Sequence, residues 1–363
     1  MSLTSPKKDR VFFTYAEATS GVADNNCFME GRGSMDFPSA DYLIESDYGK
    51  MGSGEHGKSA KLQAVYTQWT YKPQRFSELA YFLSFFQGKG DEVHTIASGV
   101  YMHDLHHLPI SSRILPTMGF QYGTGSSNKV INGCAVNEFS IVLARGGNGV
   151  VDASFSGIGN RHRISSGVLS ENATGSLSTG DYSFSAEPLI NFKSCHLFIA
   201  DALEDNFGPS SLSVSGEDLG ANAVEITSLI NSINISGNNG MSPENQLRAG
   251  GYGLVNDWTR GDRRYTLGLN LRKDVSVIDF DSLILNNSLK AFELQFLGPF
   301  INSTHRYSLH IFFPSVGINK VTEDKESPIG GEITTEVFED SNGDSMIVFA
   351  QSAISVGYNA KKV

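Results

Sequence analysis

The sequence predicts a mainly β protein of antiparallel strands with one or two helices, and three observations carry that prediction. Apolar and polar residues alternate with period two over many runs, Gly- and Asn-containing turns separate those runs, and helical spacing appears in few places.

Taken in order, residues 61–71 (KLQAVYTQWTY) come first. Leu62, Val65, Tyr66 and Trp69 suit a helix face, while Val, Tyr, Thr and Trp favour a strand. Residues 75–90 (RFSELAYFLSFFQGKG) follow as a helix, with Phe76, Leu79, Ala80, Leu83 and Phe86 on one face and Gly88 as its C-cap. A strand around ILPTMGFQYG leads to a hairpin over 129–159, KVINGCAVNEFSIVLARGGNGVVDASFSGIG. Its second arm puts Val151, Ala153 and Phe155 on one face and Asp152, Ser154 and Ser156 on the other. Residues 264–274 alternate Tyr265, Leu267, Leu269 and Leu271 with Thr266, Asn270 and Arg272. A short helix, VSVIDFDSLILNN, follows with Val277, Phe280, Leu283 and Ile284 on one side. The strand KAFELQFLG then precedes RYSLHIFFPSVGIN, which is expected to pair with GEITTEVFED and to be closed by SMIVFAQSAISV. In GEITTEVFED, Ile333, Thr335 and Val337 alternate with Glu332, Thr334 and Glu336. Turns such as GGNG (146–149) and SNGD (341–344) are hairpin chemistry.

The order strand, helix, strand, hairpin thus occurs twice, which predicts two tandem modules. The expected organisation is an N-terminal arm with first strands (1–58), a first module (59–160), a linker or long hairpin (161–190) rich in Ser, Gly, Asn and Thr, and a second module (191–358). A second long polar region runs from Asn234 to about Arg264, and loops of that length are functional or disordered.

Composition narrows the function classes. The 363 residues suffice for a core without staples, and Cys27, Cys134 and Cys195 are odd in number and far apart, so neither a disulfide framework nor a paired-cysteine zinc site is expected, and a reducing compartment is. No apolar run approaches the roughly 18 residues of a membrane span, and no secretion signal is read at the start. With 28 basic against 39 acidic side chains the net charge is −11, which opposes wrapping of a phosphate backbone.

Several motifs test enzyme readings. GSGEHGKS (52–59) fits a phosphate-binding loop, with Gly52, Gly57, Lys58 and Ser59 in place. Such a loop must leave a buried parallel strand and open into a helix, whereas IESDYGKM before it is charged and LFIAD (197–201), the acidic partner strand, has no βαβ continuation. The lookalike is expected to be inert. YMHDLHHLP (101–109) offers His103, Asp104, His106 and His107 to a metal, but without a matching ligand pair elsewhere it reads as a polar connection before Pro109. The Arg260–Gly261–Asp262 tripeptide reads as coincidence, FEDSNGDS as a turn whose glycine comes too early for a calcium loop, and the four glycosylation sequons as silent. There is no nucleophile elbow. The sequence therefore predicts no catalytic residue, no cofactor, no metal and no enzyme.

The stretch VINGCAVNEFSIVLARGGNGVVDASFSGIGNR, together with RGDRRYTLGLNLRKD, HIFFPSVGINK and GGEITTEVFEDSNGDSMIVFA, resembles the tail tube proteins of long-tailed bacteriophages over roughly residues 60–356. The resemblance implies β-sandwich modules whose strands join those of neighbours into a barrel around a lumen. Rings stack into a tube through which DNA passes without specific binding. It implies hexameric rings for single modules and trimeric, pseudo-hexameric rings for tandem ones, with tape measure, tail terminator and distal tail proteins as partners. It implies no membrane and a place in the virion tail after synthesis in the host cytoplasm. Independently, joining exposed strand edges through neighbours removes an aggregation hazard. The lumen is expected to be net negative and lined in part by Asp152, Ser154, Ser156, Glu332, Thr334 and Glu336; the competing expectation is that these side chains only solvate an outer face. The long loops are expected to mediate ring stacking. A receptor- or carbohydrate-binding β protein is the alternative, and would show exposed aromatics in a loop, where Trp258 but not Trp69 is expected.

Overall fold

Alternating runs bounded by glycine turns become strands throughout the computed structural model, which describes residues 11–19, 22–30, 42–43, 61–62, 66–109, 111–123, 128–144, 149–160, 163–165, 182–183, 187–201, 219, 223–242, 258–271, 280–323, 331–341 and 343–359. The phosphate-loop lookalike and most of both long polar regions lie outside these residues. The protein is mainly β.

The chain opens with β1 (Val11–Thr19) and β2 (Val22–Glu30), paired antiparallel, and with the short β3 (Tyr42–Leu43) and β4 (Lys61–Leu62), which pair with each other. β5 (Tyr66–Tyr71) precedes α1 (Phe76–Gln87), and a hairpin of β6 (Glu92–Ala97) and β7 (Val100–Leu105) follows. Next come β8 (Met118–Gly123), the long β9 (Asn128–Ala144) and β10 (Asp152–Asn160). The short β11 (Arg163–Ser165) and β12 (Tyr182–Ser183) precede β13 (Cys195–Ala200), β14 (Val224–Glu225), β15 (Ile230–Asn238) and β16 (Arg264–Leu271). α2 (Phe280–Leu285), β17 (Leu289–Phe300), β18 (Arg306–Glu323), β19 (Gly331–Val337) and β20 (Ile347–Ser352) complete the described chain.

Among the described residues every strand pairing is antiparallel except a two-residue contact of β12 with β2. The stretch after the glycine-rich loop, open between strand and helix in the sequence, forms β4 and β5, so the helix that a phosphate loop requires is replaced by strand. The first four residues of LFIAD fall in β13, antiparallel to β17, and Asp201 follows the strand. Two bent strands organise the sheet. β9 pairs with β8 through its first half and with β10 and β15 through its second. β18 pairs with β17 and β20 through its first half and with β19 through its second. The run β5–β10–β9–β15–β16–β19–β18 is therefore one continuous sheet that crosses from the first half of the chain to the second.

α1 was expected to bury one face. Instead all twelve of its residues are buried, including Ser77, Glu78, Ser84 and Gln87. Rings from several strands close around it: Tyr71 stacks on Phe82 at 4.6 Å, Trp69 lies 4.9 Å from Phe120, and Phe86 meets Phe139 edge-on at 4.7 Å. Each buried aromatic side chain contributes on the order of 1.5–3 kcal/mol of transfer free energy. The polar residues make hydrogen bonds where they sit, although Gln87 Oε1 has no partner among the described residues. Ser84 Oγ donates to Tyr81 O, Gln87 Nε2 donates to Met346 O at 2.8 Å, and Glu78 accepts the backbone N–H of Gln74 and Arg75 and the hydroxyl of Tyr71.

The helix ends are completed from distant sequence. At the N-terminus Glu187 accepts the Ser77 N–H at 2.8 Å and the Ser77 hydroxyl, placing an acid at the positive end of the dipole. At the C-terminus Gly88 takes the left-handed conformation (φ 91°) predicted for the cap, where a Cβ would also lie 2.7 Å from Leu108. The last turn contains no basic residue, and Arg263 supplies one: Nη2 donates to Phe86 O and Gln87 O at 2.9 and 3.0 Å, and Nε donates to Asn239 Oδ1. α2 is described over Phe280–Leu285, and the residues predicted to precede it in the helix lie outside the described ones. Cys134 and Cys195 are buried, and burial pushes the Cys195 thiol up to about 12. Among the described residues no helix is long and apolar enough to cross a membrane.

Candidate functional site

Cross-strand register decides which side chains share a face of the spanning sheet. Asp152 stands opposite Val142, Val142 opposite Asn234, Asn234 opposite Gly268, and Gly268 opposite Thr334. In the neighbouring row Ser154, Ser140, Ser236 and Thr266 carry four hydroxyls across four strands. Ser156, Glu138, Asn238 and Arg264 form the next row, and Ser232, Asn270 and Glu332 align on the other side. Alternation places Glu336 on this face too, where Asn319 Nδ2 donates to its Oε2 at 3.2 Å.

All six residues predicted for a lumen therefore meet on one face, although they come from opposite halves of the chain. Asp152, Glu332, Thr334 and Glu336 are exposed, while Ser154 and Ser156 are half-buried beside a groove of about 370 Å³. The groove runs between the serine row and Arg264, with Phe139 and Gly237 as its floor. Gly237 pairs with Phe139, and a Cβ there would lie 2.3 Å from that ring, so the glycine lets the aromatic close the joint between the two halves.

The electrostatics differ in degree from the expectation. Glu138, Asp152, Glu332 and Glu336 are faced by Lys72, 3.6 Å from Asp152, and by Arg264 and Lys320, so the surface is weakly acidic and dominated by hydroxyls and amides. Glu138 accepts from Asn238 at 2.7 Å. Sequence reasoning missed Glu138, Ser140, Ser236 and Arg264. The alternation of NEFSIVLA (137–144) and NISG (234–237) already held the signal for the first three.

The histidine stretch is not the polar connection expected of it. Tyr101–Leu105 is part of β7, and alternation sends its residues to opposite sides. His103 is fully buried and stacks on Tyr358 at 4.0 Å. Its Nδ1 lies 2.7 Å from Asp91 Oδ2 and its Nε2 3.3 Å from Ser352 Oγ, the order of a hydrolytic triad. Burial closes that route. Asp91 and His103 side chains have no exposure, Nε2 also faces Ile354 O at 3.0 Å, and Ser352 Oγ accepts the Ile354 N–H. The group works as a clasp on the end of the chain, where Asp91 also accepts the Tyr358 N–H. His107 lies beside Tyr265 and Arg263, and burial, reinforced by Arg263, lowers its pKa well below the usual range. His106 and Asp104 face the other way, toward β6. Burial lowers the His106 pKa, but hydrogen bonds to Asp104 and Asp344 outweigh it and raise the value to about 9.

No model of a known protein family matches the chain, and no curated protein matches it significantly.

Proposed function

We propose that the protein is a non-enzymatic, structural subunit of two tandem modules that joins copies of itself edge to edge into rings, and that stacked rings form a tail tube through which a phage genome is delivered. The observation that carries this reading is the spanning sheet: its polar face is continuous across both halves, and, among the described residues, no strand pairs with the outer edge of β5 or with the second edge of Ile318–Glu323 in β18. Two open edges on one sheet form a heterologous interface that closes by rotation.

The tandem reading has support in the connectivity. β5, α1, β8, β9 and β10 occur in the order of β16, α2, β17, β18 and β19, and the pairings correspond: β5–β10 with β16–β19, β10–β9 with β19–β18, and β8–β9 with β17–β18. The β9–β15 pairing joins the two units inside one chain, so three chains supply six segments. A lumen face rich in Ser, Thr and Asn gives DNA few cations to bind, and its remaining acids oppose adhesion.

The test is assembly of the purified chain combined with charge reversal. Negative-stain images are expected to show rings or tubes, with native masses in multiples of three chains. Changing Asp152, Glu332 and Glu336 to Lys is expected to leave tubes intact while slowing DNA ejection, with relief at high salt. Isolated globules would overturn the assembly, and normal ejection through intact variant tubes would move this face out of the lumen. The receptor-binding alternative gains nothing from the tryptophans, since Trp69 and Trp258 are both buried.

A further inference from the structure

The β6–β7 hairpin lies away from the polar face and gathers a second set of chemically active side chains. Glu92 stands directly opposite Asp104 and His94 opposite Met102, so Glu92, His94 and Asp104 share one face of the hairpin. One donor atom from each lies within 4.8 Å of the others.

Three features distinguish this group from a solvated charge cluster. First, two carboxylates stand directly opposite each other on antiparallel strands, an arrangement that a cation between them would favour. Lys89 reaches Glu92 only at 3.8 Å and from an exposed position. Second, His94 Nε2 is shielded from solvent yet has no hydrogen-bond partner among the described residues, and it lies 4.0 Å from Asp104 Oδ2. That gap is too long for a hydrogen bond. Two ligands at about 2.0–2.2 Å from a tetrahedral ion lie roughly 3.4 Å apart, so a shift of about half an ångström of the His94 side chain would seat one. Third, Asp104 is held from behind: its Oδ1 lies 2.7 Å from His106 Nε2, His106 Nδ1 lies 3.3 Å from Asp344 Oδ2, and the Asp344 N–H donates to Asp340 Oδ1 at 2.8 Å. A carboxylate ligand oriented through a histidine and a second carboxylate is the outer support that metal sites use. The site also has a rigid apolar floor, since Met102 and Phe349 are buried beneath it and the Phe349 ring meets His106 edge-on.

We propose that Glu92, His94 and Asp104 bind one divalent transition-metal ion of the zinc type, with the remaining coordination positions open to water and with His106 and Asp344 as positioning residues. An imidazole beside two carboxylates selects zinc, cobalt or manganese over magnesium and calcium, which prefer all-oxygen shells. β6 pairs only with β7 among the described residues, so the ion would sit at an outer edge of the sheet. The site does not depend on the ring-forming reading, because all its ligands come from one chain.

The test uses the full-length chain stripped by a chelator. Zn²⁺ titration by calorimetry is expected to give one site per chain, Co²⁺ to give a visible absorption band that Zn²⁺ removes, and equal Mg²⁺ to leave that band unchanged. His94→Ala and Glu92→Gln are each expected to weaken Zn²⁺ binding by at least roughly tenfold, and Asp344→Asn by about 10–100-fold. Glu92 is more than half exposed, so Glu92→Gln keeps the fold, and near-UV circular dichroism checks this. His305→Ala, which alters a surface histidine elsewhere, is expected to change nothing. Absence of Zn²⁺ binding by the native chain, or binding that survives both His94→Ala and Glu92→Gln, would overturn the site.

Discussion

The two helices occupy matching places in the chain order and meet opposite fates. α1 is buried along all twelve residues and is completed at one end by Glu187 and at the other by Arg263. α2, described over Phe280–Leu285, has no basic residue in its last turn and leaves Leu285 85 % exposed. The two also differ locally, α1 carrying apolar residues all round and α2 packing Phe280, Leu283 and Ile284 against the core. What further separates them is whether distant parts of the chain return to cover the helix and bond its ends. Helical stability here is tertiary, in keeping with the marginal stability of short helices alone.

The comparison breaks most severely at Arg263. Arg263→Ala leaves the Asn239 amide oxygen without this donor, at about 1–3 kcal/mol for a buried group left unsatisfied, and takes one of two donors from the carbonyls of Phe86 and Gln87, which keep Asn239 Nδ2 and the Leu108 N–H. A loss of roughly 1–3 kcal/mol is expected, read as a lowered midpoint in chemical denaturation. A loss below ~1 kcal/mol would mean that the helix end is not completed in this way.

Glu187 tests the other end with a smaller, pH-dependent effect. Burial, opposed by the hydrogen bonds from Ser77, raises its pKa above 4.5. For an acid with a raised folded-state value, the folded state takes up the proton first. The Glu187 contribution is therefore fully gained below about 4.5 and lost as pH rises through the folded-state value. Glu187→Gln is expected to flatten that part of the stability-against-pH curve, measured by thermal unfolding from acid to neutral pH. An unchanged slope would assign the dependence elsewhere.

The smallest effect is expected at α2. Leu285→Ser should change stability by no more than ~0.5 kcal/mol, as for other exposed positions. If Leu285 instead contributes to contact between copies, assembly will weaken at low protein concentration while the monomer unfolds normally, and sedimentation separates the two outcomes.

How much was legible follows the same division between local and distant. Phe76, Leu79, Leu83 and Gly88 announced α1 and its end, and period-two alternation identified both triplets of the polar face, because these patterns are complete within a dozen residues. Full burial of α1 was not legible, since Ser84 and Gln87 look solvent-facing until Met346 arrives to accept the Gln87 amide. Nor was the union of Asp152 with Glu332 on one surface, which depends on the β9–β15 register across some ninety residues. The histidines were misread for a third reason. YMHDLHHLP has no apolar–polar alternation because both faces of β7 are covered, His103 against Tyr358 and Met102 against Phe349 and its neighbours, so the strand gave no periodic sign of itself.

The remote completion of α1 also sets an order in time. Arg263 lies 177 residues beyond Phe86, and synthesis at roughly 5–20 residues per second separates the two by about 10–35 seconds. Throughout that interval the nascent first half lacks the Arg263 bonds to Phe86 and Gln87 and, on β9, has an edge whose partner β15 has not yet been made. A chain released early by a stalled ribosome would stay in that condition and be open to proteases. Only a chain read past residue 263 has a finished first half to offer.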